Sequence, residues 1–226
     1  MKLKIIFYLI CDYIYAFHKQ VGVFIFTKPP AYYLSRAVEG KSPIILIPGV
    51  YEKWYFLKSI ADRLSGIGHP IYILDGLGYN TKEISSSARL VYDFMKEKNL
   101  KDVVIIAHSK GGLIGKYVLS FYNKRAEVKK LIAIATPFGG SNIVKFIPFK
   151  ILNLSPSSDV IKILRERNDI NNKIVSIFGV FDNSIWPLES CCLEGAKNVQ
   201  ANVYGHHRIL SNKKTLEIIV SEIERL

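Results

Sequence analysis

Apolar positions along this chain follow two rhythms. Short unbroken runs, rich in β-branched residues, occupy 43–48, 71–74, 103–107, 131–135 and 174–180. Longer stretches at 54–64, 82–98, 113–122 and 215–225 are amphipathic with helical spacing. A strand buried on both faces shows no polar alternation. Apolar runs alternating with amphipathic helices therefore predict an α/β fold, a mainly parallel sheet flanked by helices. In such sheets ligands bind beyond the carboxyl ends of the strands, so the residues just after each run are the candidates for chemistry.

The first 28 residues break this alternation. Residues 3–26 are aromatic and apolar, and on a helix Lys4, Tyr8, Asp12, Tyr15 and Lys19 form one narrow polar stripe, spaced by four, four, three and four. Spanning a bilayer takes about twenty mainly apolar residues, and Asp12 interrupts this stretch after the run 5–11. No small-residue cleavage site stands where a signal peptide would need one. The expectation is an interfacial helix outside the main core, with Lys2, Lys4, Lys19 and Lys28 facing anionic head groups and the aromatics entering the acyl boundary. A helix whose wide apolar face packs on the protein's own sheet is the alternative. The organisation expected is a helix over 1–28 and one domain over 29–226, with a small lid around 138–171. In that lid apolar clusters alternate with a polar turn at 155–159.

Composition narrows the classes. With 226 residues, 49% hydrophobic and 22% charged, the chain can bury a full core, which excludes a disordered or low-complexity protein. Its 31 basic and 19 acidic residues leave a net charge of +12, which attracts polyanions. The cations are scattered rather than gathered into an arm, so nucleic acid is not expected as a partner; an anionic membrane surface is. Cys11, Cys191 and Cys192 make no disulfide framework. Neither C-x-x-C nor H-E-x-x-H occurs, and no metal or cofactor is expected.

The strongest chemical signal follows the third apolar run. Ala107-His108-Ser109-Lys110-Gly111-Gly112 joins a strand directly to a helix. A serine in so sharp a turn needs small residues two positions to either side, which Ala107 and Gly111 supply, and this is the nucleophile-elbow pattern with alanine at its first glycine. A serine hydroxyl needs a base, and the base an acid to orient it. Asp182 stands just beyond the run 174–180, with Glu189, Glu194 and Asp159 as substitutes further from a strand end. His206 and His207 stand in a late loop before the last helix. His206 is the expected base because Gly205 before it suits a tight turn; His207 is the alternative. His108 is expected to point away from the serine, while His18 and His69 are read as surface or packing residues. Oxyanion donors are expected from the backbone N–H of Lys110 and that of Val50, in the turn opened by Pro48-Gly49.

These motifs resemble the α/β-hydrolases of lipase and esterase type. The elbow is similar to Ala-His-Ser-x-Gly-Gly of compact bacterial lipases, and Ile47-Pro48-Gly49-Val50-Tyr51-Glu52 resembles the oxyanion loop of a group of small bacterial hydrolases. The resemblance runs from about residue 42 to the C-terminus. It includes Thr136-Pro137-Phe138-Gly139-Gly140-Ser141, Asp182-Asn183-Ser184-Ile185-Trp186-Pro187 and Gly205-His206. It implies a compact α/β-hydrolase fold with an N-terminal helical extension. It also implies Ser109, Asp182 and His206 as nucleophile, acid and base, with Val50 and Lys110 as oxyanion donors. The implied activity is hydrolysis of carboxylic esters, lipid-like ones among them, through an acyl-enzyme, in the bacterial cytoplasm or on the cytoplasmic face of the membrane. An acyltransferase or thioesterase would use the same residues, and a non-catalytic hydrolase-fold protein that binds a membrane or a partner is the contrasting class. Two departures stand out: Lys110 where lipases often carry Met or Gln, and Pro48 where many carry histidine.

Overall fold

The computed structural model describes residues 2–125, 127–143 and 154–226, with side chains from residue 5 onward. The apolar runs become strands β1 (Ile44–Ile47), β2 (Ile71–Ile73), β3 (Val103–His108), β4 (Val128–Ile134) and β5 (Ile174–Phe178). With β6 (Lys197–Gln200) they form one six-stranded sheet in the order β2-β1-β3-β4-β5-β6, every pairing parallel. No apolar run announces β6. Its sequence Lys-Asn-Val-Gln is mostly exposed, and backbone pairing to β5 alone defines it as an edge strand.

Seven α-helices are described: α1 (Lys2–Ile25), α2 (Tyr32–Ser35), α3 (Lys58–Ser65), α4 (Ile84–Glu97), α5 (Lys110–Phe121), α6 (Asp159–Glu166) and α7 (Lys213–Ile223). Strand side chains alternate between faces, and each face carries its own core. Ile44, Leu46, Val104 and Ile106 pack with Ile60 and Leu64 of α3 and Ile219 of α7. Ile45, Ile47, Val103 and Ile105 pack with Val91 of α4, Leu113 and Val118 of α5 and Ile161 of α6. Both faces are covered, as continuous apolar strands require.

The expected lid is described only at its ends. Phe138 and, in α6, Ile161 and Leu164 are buried in the second core. The apolar clusters at 144–152 lie outside the described residues.

Helix α1 forms, and the structure corrects one part of the expectation for it, the place of Lys19. From Tyr8 to Lys19 the polar stripe faces the protein: Asp12 is fully buried and Lys19 nearly so, its Nζ 3.4 Å from the Tyr55 carbonyl. Tyr8 stacks on Tyr204 with ring centroids 4.2 Å apart, and Val23 joins the first core. Lys19 therefore does not face head groups. The reason is partner supply: a buried charge is tolerated where fixed acceptors and donors meet it, and the surface under α1 presents them. Among the described residues no helix is long and apolar enough to cross a membrane.

Candidate active site

Ser109 sits between the last residue of β3 and the first of α5, with φ 52° and ψ −123°. That backbone is costly for a residue with a side chain, and it is held by what surrounds it. The Ser109 N–H donates to the Ile134 carbonyl at 2.9 Å, and the Gly112 N–H donates to the Ser109 carbonyl at 3.0 Å. A Cβ on Gly111 would overlap the Ile47 carbonyl oxygen, and one on Gly112 would overlap the Thr136 side chain. The glycines are thus a steric requirement of the turn, which leaves the serine half-buried at the carboxyl edge of the sheet.

Asp182 and His206 come together at the same edge. The loop after β5 and the loop bearing His206 are bridged by backbone pairing of Phe181 with Tyr204 and by the Gly205 N–H donating to the Phe181 carbonyl at 2.9 Å. The Oδ1 of Asp182 accepts the N–H groups of Ser184 at 2.7 Å and Ile185 at 3.0 Å, fixing the carboxylate plane. Its Oδ2 accepts from His206 Nδ1 at 2.7 Å, with both side chains buried. Burial carries the His206 pKa below the ordinary 6.5, against the opposing pull of Asp182. Near neutral pH the ring is therefore uncharged with its proton on Nδ1, and Nε2 holds the lone pair a general base needs.

A second buried network, not read from the sequence, fastens these loops. Glu52 is 3% exposed, and its carboxylate accepts the Gly49 N–H at 2.7 Å and His108 Nδ1 at 2.9 Å. His108 Nε2 in turn donates to the His206 carbonyl at 3.0 Å. One glutamate so joins the turn before Val50, the residue before the serine, and the backbone of His206. Burial alone would raise the Glu52 pKa; His108 and His207 outweigh it and hold the group ionised. His207 does not meet Asp182 through a hydrogen bond. Its Nδ1 lies 3.1 Å from Asp12 Oδ2 and its Nε2 3.5 Å from Glu52 Oε1, and despite burial these carboxylates raise its pKa. Asp12 Oδ1 also accepts the N–H groups of His207 and Arg208, each at 2.9 Å. Burial opposes the charge on Asp12, yet these partners bring its pKa down to about 2. The available signal was the acid itself: a lone Asp in an apolar helix needs a partner if it is buried.

The two backbone groups expected as oxyanion donors lie in the turn after β1 and at the start of α5. In the turn Gly49 to Glu52, the N–H groups of Gly49, Tyr51 and Glu52 donate to Glu52 Oε2, Tyr79 O and Gly49 O. Among the described residues these bonds leave the Val50 N–H as the group in that turn not so used. Lys110 opens α5, where N–H groups have no partner within the helix. Its side chain turns away from the serine, donating to the carbonyls of Asn80, at 2.9 Å, and Lys82, and burial lowers its pKa to about 8. The cation that set this elbow apart from lipase elbows is thus committed to the turn before α4. Of the remaining histidines, His69 is buried with Nδ1 2.9 Å from the Ser42 carbonyl, and His18 is exposed.

Known proteins share this fold. Residues 42–155 match the family model described as the alpha/beta hydrolase fold. A Mycoplasma pneumoniae protein carrying the provisional name esterase/lipase 3 is 33% identical over 115 residues, covering 49% of this chain and 42% of that protein. The chain therefore spans less than half of that relative's length. Among solved structures, Aspergillus fumigatus lipase B aligns with a TM-score of 0.71 at 18% identity, over 87% of this chain and 55% of the lipase. Mature Bacillus licheniformis lipase BlEst2 aligns at 0.66 and 14% identity, over 84% of this chain and 95% of its own. With the family model matched over residues 42–155, half of its length, and the same fold shared with these solved structures over most of it, the chain belongs to the α/β-hydrolase fold family.

Proposed function

We propose that the protein is a serine hydrolase of carboxylic esters, with lipid-like esters met at a membrane surface as its substrates. Ser109 Oγ attacks the ester carbonyl carbon while His206 Nε2 takes the hydroxyl proton. The tetrahedral oxyanion is held by the N–H groups of Val50 and Lys110. Collapse breaks the ester C–O bond, and the alcohol leaves with the proton from His206. Water then repeats the sequence on the acyl-enzyme, releasing the carboxylic acid and free Ser109. Asp182 orients the ring and steadies the imidazolium that forms.

The observation that carries this reading is the 2.7 Å pair between His206 Nδ1 and a carboxylate whose other oxygen is locked by two N–H groups. It imposes the tautomer a base beside a serine must have. The test combines a fluorophosphonate probe with a p-nitrophenyl ester series of rising acyl length. The expected result is covalent labelling and ester turnover in the wild type, both lost in Ser109→Ala while the circular dichroism melt is unchanged. The variant should keep less than about one hundredth of the wild-type rate, since groups acting as a unit fail together. Undiminished turnover in the variant would refute the assignment.

A further inference from the structure

Helix α1 is amphipathic in the reverse sense of an ordinary surface helix. Its one carboxylate, Asp12, is turned inward, and so is Lys19, whose Nζ lies over the rings of Tyr15 and Tyr55. At Gly22 the helix passes so close to Tyr55 that a Cβ would overlap its ring. On the opposite side Ile10, Ile14, Phe17, Val21 and Phe24 recur at intervals of four, three, four and three, between 40% and 71% exposed. They form one apolar stripe about 21 Å long. Scattered apolar residues on a surface need no explanation, whereas a continuous stripe of this length marks a surface that another phase or molecule covers.

We propose that this face of α1 docks in the plane of an anionic lipid surface, an inference that adds to the ester-hydrolase reading the place where that site meets its substrate. The helix is too polar to span a bilayer, and its outward stripe carries no carboxylate to desolvate. The charge of the whole chain, +12, is complementary to anionic lipid. A second copy would bring +12 against +12, so self-association through this face is opposed by the same charge. Cations also border the helix. Lys28 follows it, exposed, and Arg208 and Lys213 line, with Tyr8, a cleft of about 400 Å³ at its side. Asp12 holds the backbone of His207 and Arg208, so a docked α1 keeps the loop bearing His206 about one helix diameter, roughly 10–12 Å, from the lipid.

The test is flotation of the full chain with phosphatidylcholine vesicles containing phosphatidylglycerol and with vesicles of phosphatidylcholine alone. The double variant Phe17→Glu/Phe24→Glu changes only the exposed face and none of the groups placed at the active site. Wild type should float with the anionic vesicles and less with the neutral ones. The double variant should float at least about tenfold less, with an unchanged melt and unchanged turnover of a soluble short-chain ester. Wild type that stays at the bottom of the gradient, or a double variant that floats equally, overturns the proposal. A wild-type dimer in sedimentation that the double variant converts to monomer, without vesicle binding, would assign the face to a second copy and overturn it too. Ser109→Ala should float like wild type, which separates the two readings. Flotation of a protein without ester turnover leaves docking standing and removes the hydrolase, and turnover without flotation does the reverse.

Discussion

Replacing Asp12 by asparagine keeps the shape of the side chain and removes its charge from the buried cluster that holds the loop bearing His206. The amide oxygen can still accept the His207 and Arg208 N–H groups, but its nitrogen now meets His207 Nδ1 donor to donor. In the wild type the fall of the Asp12 pKa from 3.8 to about 2 corresponds to about 2 kcal/mol favouring the charged form in the fold. Breaking a buried ion pair from one side typically costs about 3–5 kcal/mol, so Asp12→Asn should lose about 2–4 kcal/mol. For a chain of this size that is a drop in Tm of about 4–15 °C. Urea melts of both proteins across a pH series provide the assay. Because the Asp12 pKa is depressed, its contribution is present above about pH 3.8 and is lost as pH falls towards 2. Because the His207 pKa is raised, its contribution is full below 6.5 and is lost as pH climbs through the higher value it has in the fold. The stability gap between wild type and variant should therefore be widest between about pH 4 and 6.5 and shrink on both sides. A gap that is absent, or constant down to pH 2, would refute the claim that a charged Asp12 stabilises this loop.

Other expectations separate the roles of neighbouring residues. His206→Ala should cost as much turnover as Ser109→Ala. His207→Ala should keep turnover within about tenfold yet lose about 3–5 kcal/mol in a urea melt, because it strands the buried Asp12 carboxylate without its partner ring; the opposite ranking would transfer the base to His207. The pH profile of kcat/KM should rise through an inflection below 6.5, since only unprotonated His206 can accept the serine proton and burial depresses its pKa. An inflection well above 6.5 would point to another base. Gly111→Ala should destabilise by at least about 1–3 kcal/mol in a urea melt, because the added methyl meets the Ile47 backbone carbonyl, which cannot swing aside.

Much of this molecule was legible as pattern. β-branched runs marked β1 to β5, and helical spacing marked α3, α4, α5 and α7, because burial on both faces of a parallel sheet is written locally as unbroken apolarity. The strand–Ser–helix turn could be read at Ser109 because its steric demand falls on the adjacent residues 107, 111 and 112. β6 escaped because an edge strand held by backbone bonds alone leaves no apolar signature in Lys197–Gln200. α6 escaped because its apolar positions, with Ile161 and Leu164 buried, fall inside the segment read as a lid.

What depended on the tertiary structure was which way things face and which distant groups meet. Order along the chain placed His206 and His207 equally near Asp182; the approach of the two loops put one ring on Asp182 and the other on Asp12, 195 residues away in sequence. The spacing of Asp12 and Lys19 revealed a polar stripe on α1, and by itself suggested that the stripe would meet water or head groups. Periodicity states that a helix has two faces, but not which of them is covered. That is decided by the partners the rest of the chain supplies, here the His207 ring, the N–H groups of His207 and Arg208 and the Tyr55 carbonyl. Those groups offset the cost of burying the two charges and would be left unpaired beneath a phenylalanine, and so the apolar face is the one left outside.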